Sequence, residues 1–345
     1  MQQAPIAITL GDPCGIGPEI ILKSFDEGLP APALVIGDPA LLDREAQRLG
    51  LSLKIVALND TLTLPTGNKG EAVVPVLHEV TVPPDLSPGC LDSRGGEVAY
   101  RCIVRAAALA MRGQVRAVVT APLNKEAMHR AGHHYPGHTE LLAELAGNLP
   151  VRMMLANDEL RTVLVTIHLP LREALTSLTR ERVGETIDIT HCALQRAGIA
   201  QPRIAVAGVN PHAGEGGAFG NEELEILAPA IADARARQID AQGPLAPDTV
   251  FMRARGFREF DVVIAMYHDQ GLIPVKYLGL DQGVNITIGL PYVRTSPDHG
   301  TAFDIAGRLD KDGRGLADPG SLLAAFRQAD RLSAISAASA LSQAS

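Results

Sequence analysis

The stretch DVVIAMYHDQG, residues 261–271, runs five apolar residues together behind an aspartate and then closes on His268, Asp269 and a glycine. An apolar run without the alternation of a half-exposed strand reads as a strand buried on both faces. The pattern recurs as IAITL (6–10), ALVIGD (33–38), AVVTAP (117–122), VRMMLAND (151–158), LRTVLVTIHLP (160–170), RIAVAGVNP (203–211) and VNITIGLP (284–291). Between these runs lie amphipathic segments long enough for helical crossovers, among them 96–113, 179–198 and 221–238. Strands alternating with helices predict an α/β fold with a mostly parallel sheet.

At 345 residues the chain has room for one large domain or two α/β lobes. Hydrophobic residues at 46% and charged residues at 20% place it among globular proteins rather than disordered ones. A net charge of −8 with no Lys/Arg-dense run argues against a nucleic-acid or acidic-membrane surface and favours a small ligand. The N-terminal MQQAPIAITLGDP reads as a first strand rather than a signal peptide, and no segment reaches the roughly 18 apolar residues of a membrane span. Cys14, Cys90, Cys102 and Cys192 are scattered without CxxC spacing, as in reduced thiols of a cytoplasmic protein, with Cys14 a small filler of a tight turn. Residues 57–95, rich in Pro, Gly and Asp, read as an excursion or lid, and the Ala/Ser-rich tail after 333 as frayed.

In parallel α/β sheets, ligands bind beyond the carboxyl ends of the strands. His168 ends TVLVTIH, His212 follows RIAVAGVNP and His268 ends DVVIAMYH, so three histidines stand at three such ends. Singly, each reads as an ordinary loop residue. Together they can form a half-shell for Zn²⁺, Co²⁺ or Mg²⁺ that leaves positions open for substrate. Asp269 reads either as a partner that holds the adjacent imidazole or as a turn residue. The glycine-rich loop NPHAGEGGAFGNEELE (210–225) reads as ligand-facing.

ITLGDPCGIGPEI (8–20) runs from strand through a Gly-rich turn to Pro18 at a first helical position, and it lacks the G-x-G-x-x-G spacing of a dinucleotide fingerprint. In TAPLNKEAMHRAGHHYPGHTELLAEL (120–145), Gly137 precedes a helix starting near Thr139, where amides, a hydroxyl and the His138 imidazole suit the oxyanion of a phosphate ester. Lys276, Asn285 and Arg294 lie in a weakly charged, strand-rich stretch. They answer either carboxylates of the fold or a phosphorylated or carboxylate substrate, with Arg294 as a bidentate grip and Lys276 as a point charge or proton donor.

These segments, with ANDELRTVLVTIHLPLRE (156–173), GPLAPDTVF (243–251) and MYHDQGLIPVKYLGLDQGVNITIGLPYVRTSPDHGTAFDIAG (266–307), resemble the 4-hydroxythreonine-4-phosphate dehydrogenase (PdxA) family over roughly residues 5 to 325. The resemblance implies an NAD- or NADP-dependent oxidoreductase of pyridoxine biosynthesis. It implies a metal held by His168, His212 and His268, substrate contacts from His138, Thr139, Lys276, Asn285 and Arg294, and catalytic roles for Lys276 and Asp269. It also implies a two-lobed α/β/α fold like that of isocitrate and isopropylmalate dehydrogenases. In that fold DHGTAFDIAG and ADPGSLL carry the cofactor, giving Asp298, His299, Gly300 and Asp304 as its contacts. The expected lobes are 1–145 with 295–345 on the cofactor side, and 146–294 on the metal and dimer side. The active form is a homodimer with shared sites.

The chemistry so implied is oxidation of 4-phosphohydroxy-L-threonine at its hydroxyl, then decarboxylation to 3-amino-2-oxopropyl phosphate, with Lys276 or a metal-bound water as proton carrier. Two alternatives keep the scaffold: a threonate or erythronate 4-phosphate, or an aromatic cis-dihydrodiol carboxylate. A third is a metal- or nucleotide-binding scaffold with no activity.

Overall fold

The computed structural model of the protein describes residues 3–58, 62–65, 72–279 and 283–343. Its strands are β1 (Ile6–Thr9), β2 (Ala33–Gly37), β3 (Leu53–Leu58), β4 (Ala72–His78), β5 (Ala117–Thr120), β6 (Arg152–Ala156), β7 (Arg161–Leu164), β8 (Ile204–Ala207), β9 (Ala241–Leu245), β10 (Val262–Ala265), β11 (Val284–Ile288) and β12 (Val293–Pro297). Its α-helices are α1 (Gly17–Glu27), α2 (Pro39–Arg48), α3 (Ser93–Met111), α4 (Lys125–Arg130), α5 (His138–Leu145), α6 (Leu171–Thr176), α7 (Arg180–Arg196), α8 (Ala228–Ala236), α9 (Val250–Ala254), α10 (His268–Leu278) and α11 (Gly320–Gln343). The expected mostly parallel α/β architecture is what the chain adopts.

The chain divides into two compact units, Met1–Leu149 with Leu290–Ser333, and Pro150–Gly289 with Ala334–Ser345. Against the expected boundaries, residues 290–294 join the first unit, because β12 brings Arg294 into register with Val118 of β5. Residues beyond 333 join the second, where a Cβ built on Gly198 would stand 3.1 Å from the Ile335 side chain. This tail, expected to fray, continues α11 to Gln343, as its alanine content favours.

The first unit orders its strands β3-β4-β2-β1-β5-β12, all parallel. From β1 the order runs one way to β2 and the other way to β5, so a topological switch point, where open sheets bind ligands, lies between the carboxyl ends of β1 and β5. Every residue of β1, β2 and β5 is buried, which explains their lack of alternation. Residues 72–78 form β4 within the sheet, so an apolar strand (AVVPVLH) lies inside the region read as an excursion. The lid reading also rests on residues 59–61 and 66–71, which lie outside the described residues. Helix α3 is capped by Asp92, whose carboxylate accepts from Arg94 N at 2.8 Å. A Cβ built on its Gly96 would meet the backbone of Ala127 at 2.2 Å, so only glycine lets α3 and α4 approach this closely.

The second unit orders its strands β11-β6-β7-β10-β8-β9; β6 is antiparallel to both neighbours and the rest are parallel. Its core gathers Leu155, Leu164, Val250, Phe260, Val263, Leu272 and Val275. Each such fully buried side chain contributes about 1.5–3 kcal/mol. Residues 272–278, read as part of a strand-rich stretch, belong to α10 instead; Leu272 and Val275 face the core three residues apart, the helical period.

Candidate active site

In the second unit β7, β10 and β8 lie side by side and parallel, and the three candidate metal histidines follow their carboxyl ends. His168 lies four residues beyond β7. His268 is the first residue of α10 rather than the last of a strand, because β10 ends at Ala265 and Tyr267 is the extended N-cap. The two imidazoles lie with ring centroids 5.7 Å apart. Two imidazoles on one tetrahedral ion, with metal–nitrogen bonds of about 2.0–2.1 Å, would have centroids about 5 Å apart, so the pair fits neighbouring ligand positions. His268 Nδ1 lies 2.7 Å from Asp269 Oδ1. That contact, one of the two readings of Asp269, leaves His268 Nε2 for a ligand. His168, His268 and Asp269 line a cavity of about 300 Å³ with the apolar Ile167, Leu169 and Leu171.

His212 is not with them: its ring lies 6.2 Å from that of Phe219. Among the described residues no group of three or more His, Cys, Asp or Glu is close enough to hold a metal. The reason is in the loop. Residues His212 to Gly216 all have positive φ, from 44° to 81°, an uncommon run for a segment with three non-glycine residues. The loop is wound around the buried Glu223, whose Oε1 accepts from Val209 N and Asn210 N at 2.7 Å and whose Oε2 accepts from Asn210 Nδ2 at 2.9 Å. The glycines read as ligand-facing serve this winding in part: a Cβ on Gly214 would meet Glu223 Oε2 at 2.7 Å.

Lys276 lies on α10 seven residues after Asp269, on the same helix face and about 10 Å further along the axis at 1.5 Å per residue. Asn285 is half-buried on β11, opposite Leu155, and its Oδ1 is buried without a hydrogen-bond partner among the described residues.

The other candidates belong to the first unit. Arg294 is 1% exposed, and its Nη2 donates to Thr120 Oγ1 at 2.6 Å. Burial pulls its guanidinium down to about 10, still cationic at neutral pH. His138 opens α5, with Gly137 as N-cap and Thr139 inside the first turn, one residue after the helix start. His138 Nε2 is buried with no hydrogen-bond partner among the described residues. Burial, then the charges of Arg294 and Lys125, hold this imidazole well below its ordinary range, so it is neutral at pH 7. A neutral imidazole, an Arg and the amides of a helix N-terminus are donor types that can bind an oxyanion. Tyr292, two residues from Arg294, adds a buried hydroxyl with no partner among the described residues, pushed up to about 12 mainly by burial.

Beyond β12, half-buried Asp298 is followed by exposed His299, Gly300 and Asp304. A Cβ on Gly300 would meet nothing within 4 Å. The segment is anchored by buried Thr301, whose carbonyl accepts from Ile16 N at 3.0 Å, so these residues form an exposed loop on a fixed base. The Gly-rich turn at 11–17 is itself buried. Cβ atoms on Gly11, Gly15 and Gly17 would stand 2.4–2.8 Å from Pro122, Thr301 and Leu10, so these glycines serve packing rather than ligand approach. Cys14 is a buried filler whose thiol is pushed up to about 12, chiefly by burial.

A model of the family described as pyridoxal phosphate biosynthetic protein PdxA matches residues 30–329. The chain belongs to the PdxA family. It is 51% identical over 336 residues, 96% of either chain, to the 4-hydroxythreonine-4-phosphate dehydrogenase of Beijerinckia indica. It is 50% identical over 310 residues, 89% of this chain and 94% of the relative, to the D-threonate 4-phosphate dehydrogenase of Salmonella typhimurium. The solved structure of 4-hydroxythreonine-4-phosphate dehydrogenase from Klebsiella pneumoniae matches with a TM-score of 0.87 at 45% identity, covering 96% of this chain and 98% of that one. This PdxA-family chain is accordingly a dehydrogenase. No helix among its described residues is long and apolar enough to cross a membrane.

Sequence reading of this PdxA-family chain passed over Tyr292, Asp12 and Glu223. Tyr292 immediately precedes β12, two residues before Arg294, a signal of proximity that the sequence itself shows. Asp12 and Glu223 have none, since their burial depends on distant segments. Asp12 is fully buried beyond β1; Oδ1 accepts from Cys14 N at 2.9 Å, and Oδ2 has no partner among the described residues. Burial raises its carboxyl from 3.8 to about 6, against the Cys14 amide, with Asp92 adding to the rise. A folded-state pKa above the unfolded one contributes stability that is complete below pH 3.8 and lost as pH rises through about 6. Asp12→Asn is therefore expected to be more stable than the parent at pH 8, by up to about 3 kcal/mol, with the difference falling to about 0.5 kcal/mol at pH 4. Urea midpoints at the two pH values check this; equal midpoints at pH 8 reject it.

Proposed function

We propose that this chain oxidises 4-phosphohydroxy-L-threonine at its hydroxyl, with NAD or NADP as hydride acceptor and a divalent ion bound, and releases CO₂ to give 3-amino-2-oxopropyl phosphate in pyridoxal phosphate synthesis. The observation that carries the reading is a buried arginine and an unpartnered buried imidazole nitrogen among the described residues of the first unit, Arg294 and His138 Nε2. Arg294 supplies a buried cationic donor, and neutral His138 and the α5 N-terminus supply hydrogen-bonding groups of the kind that hold a phosphate monoester.

In this reading His138, Thr139 and Arg294 hold the phosphate, and Asn285 and Lys276 orient the remainder of the substrate. Lys276 carries the proton released from the hydroxyl and returns one to carbon after CO₂ leaves. His168 and His268 hold the metal, with Asp269 fixing the His268 ring, and His212 from a second copy of the chain supplies the third donor in a homodimer with shared sites. That arrangement accounts for the distance of His212 from the pair within one chain. When bound, the ion, Zn²⁺, Co²⁺ or Mg²⁺, supplies Lewis acidity that eases loss of the hydroxyl proton and then draws electrons from the breaking carboxylate bond. Asp298, His299, Gly300 and Asp304 hold the dinucleotide.

A second reading has D-threonate 4-phosphate as substrate, favoured by the 50% identity to the Salmonella typhimurium enzyme of that name. The two substrates differ at C2, amino against hydroxyl, and share the phosphate. The deciding experiment compares kcat/KM for NAD⁺ reduction by metal-loaded protein with both, and with erythronate 4-phosphate. A hundredfold preference for 4-phosphohydroxythreonine, about 2.7 kcal/mol of transition-state discrimination, upholds the first reading; a preference for a sugar-acid phosphate replaces it with the second.

A further inference from the structure

Lys125 is the first residue of α4, a short helix whose position is set by its neighbours rather than by its own length. The Asn124 side chain caps it, accepting from Ala127 N at 2.9 Å, and Ala127 packs directly on Gly96 of α3. From there the lysine reaches Gly137, the N-cap of α5. A Cβ built on Gly137 would stand 3.6 Å from Lys125 Cε and 3.9 Å from Nζ. The ammonium thus lies at the start of the helix that opens with His138 and Thr139, and its own residue is exposed.

Glu140 Oε2 lies 3.5 Å from the same point, yet Lys125 forms no ion pair with it among the described residues. Arg294 feels the charge of Glu140, and His138 feels those of Arg294 and Lys125, so these groups act on one another within the first unit. His138 is neutral. Arg294 and Glu140 alone would sum to zero, a poor match for a phosphate monoester, which carries about −1.5 to −2 at neutral pH. With Lys125 the sum is positive. Arg294 is then the buried anchor and Lys125 the solvent-side cation, a flexible ammonium suited to phosphate as a point charge.

We propose that Lys125 is a further phosphate-binding residue of the substrate site, closing the His138–Arg294 pocket from its solvent side. This rests on the reading of the substrate as a phosphate ester. Because Lys125 is exposed, Lys125→Met should fold as the parent does, and Lys125→Arg keeps the charge.

The test uses metal-loaded full-length protein. For the preferred phosphorylated substrate, Lys125→Met is expected to raise KM ten- to a hundredfold with kcat changed less than threefold. KM for NAD⁺ should stay within twofold, and Lys125→Arg should recover most of the loss. An unchanged substrate KM, or a rise confined to the KM for NAD⁺, overturns the proposal, the second by assigning Lys125 to the dinucleotide's phosphates. A parallel arm needs no turnover: inorganic phosphate should raise the melting temperature of the parent and, at the same concentration, raise that of Lys125→Met much less. Should no phosphorylated substrate turn over, the proposed function falls and this arm alone decides Lys125; equal shifts in both proteins, or none in the parent, overturn it.

Discussion

An Arg294→Met protein is expected to fold, to be at least as stable as the parent, and to lose about two to three orders of magnitude in kcat/KM for its phosphorylated substrate. The two effects have opposite signs for one reason. The guanidinium is 1% exposed, and burial lowers it from 12.5 to about 10. That shift is about 3 kcal/mol spent on keeping the charge inside the first unit. Methionine has similar length and no charge, so the fold is relieved of part of this cost. The substrate, in contrast, loses a charge-assisted and potentially bidentate partner, for which about 2–4 kcal/mol is usual. The Thr120 hydroxyl, which accepts from Arg294 at 2.6 Å, loses only a neutral group's bond. Thermal unfolding and steady-state kinetics on the same preparation check both signs. A large fall in melting temperature with a matching fall in activity would make Arg294 structural rather than substrate-binding.

His268→Ala is expected to abolish turnover, by at least about a thousandfold, while leaving stability within about 1 kcal/mol of the parent. The side chain of His268 is 39% exposed at the start of α10, so its removal opens no cavity. What goes is one of the two imidazoles at 5.7 Å and the contact with Asp269. Metal content after dialysis gives a readout independent of turnover and should fall with activity. Near-normal activity with metal present would take His268 out of the metal's ligands and leave the wall of the His168 cavity as its only place.

Much of this was legible in the sequence. Continuous apolar runs such as VVIAM predicted buried parallel strands, because covering both faces of a strand removes alternation. The strand ends then placed His168, His212 and His268 beyond β7, β8 and β10, which are indeed neighbours in the sheet. Local periodicity misplaced Lys276, since an eleven-residue helix interrupted by Pro274 has few turns in which to display its period. It also read an excursion or lid across 57–95 where β4 lies, because Pro75 and the surrounding Pro, Gly and Asp masked a short strand.

Sequence by itself determined the α/β class, the family and the chemistry on offer: imidazoles for a metal, and cations with a helix start for an oxyanion. Those follow from residue type and near-neighbour spacing, which the chain carries wherever it folds. Only tertiary structure decided which of these groups meet and which are dry. Arg294 is buried beside Thr120 because β12 pairs with β5 across 174 residues of chain. His212 stands apart from His168 and His268 on a loop that the buried Glu223 carboxylate winds around itself. Asp12 titrates near 6 because separate segments exclude water around it. Burial and long-range pairing set dielectric and distance, and neither is a property of any short stretch of sequence.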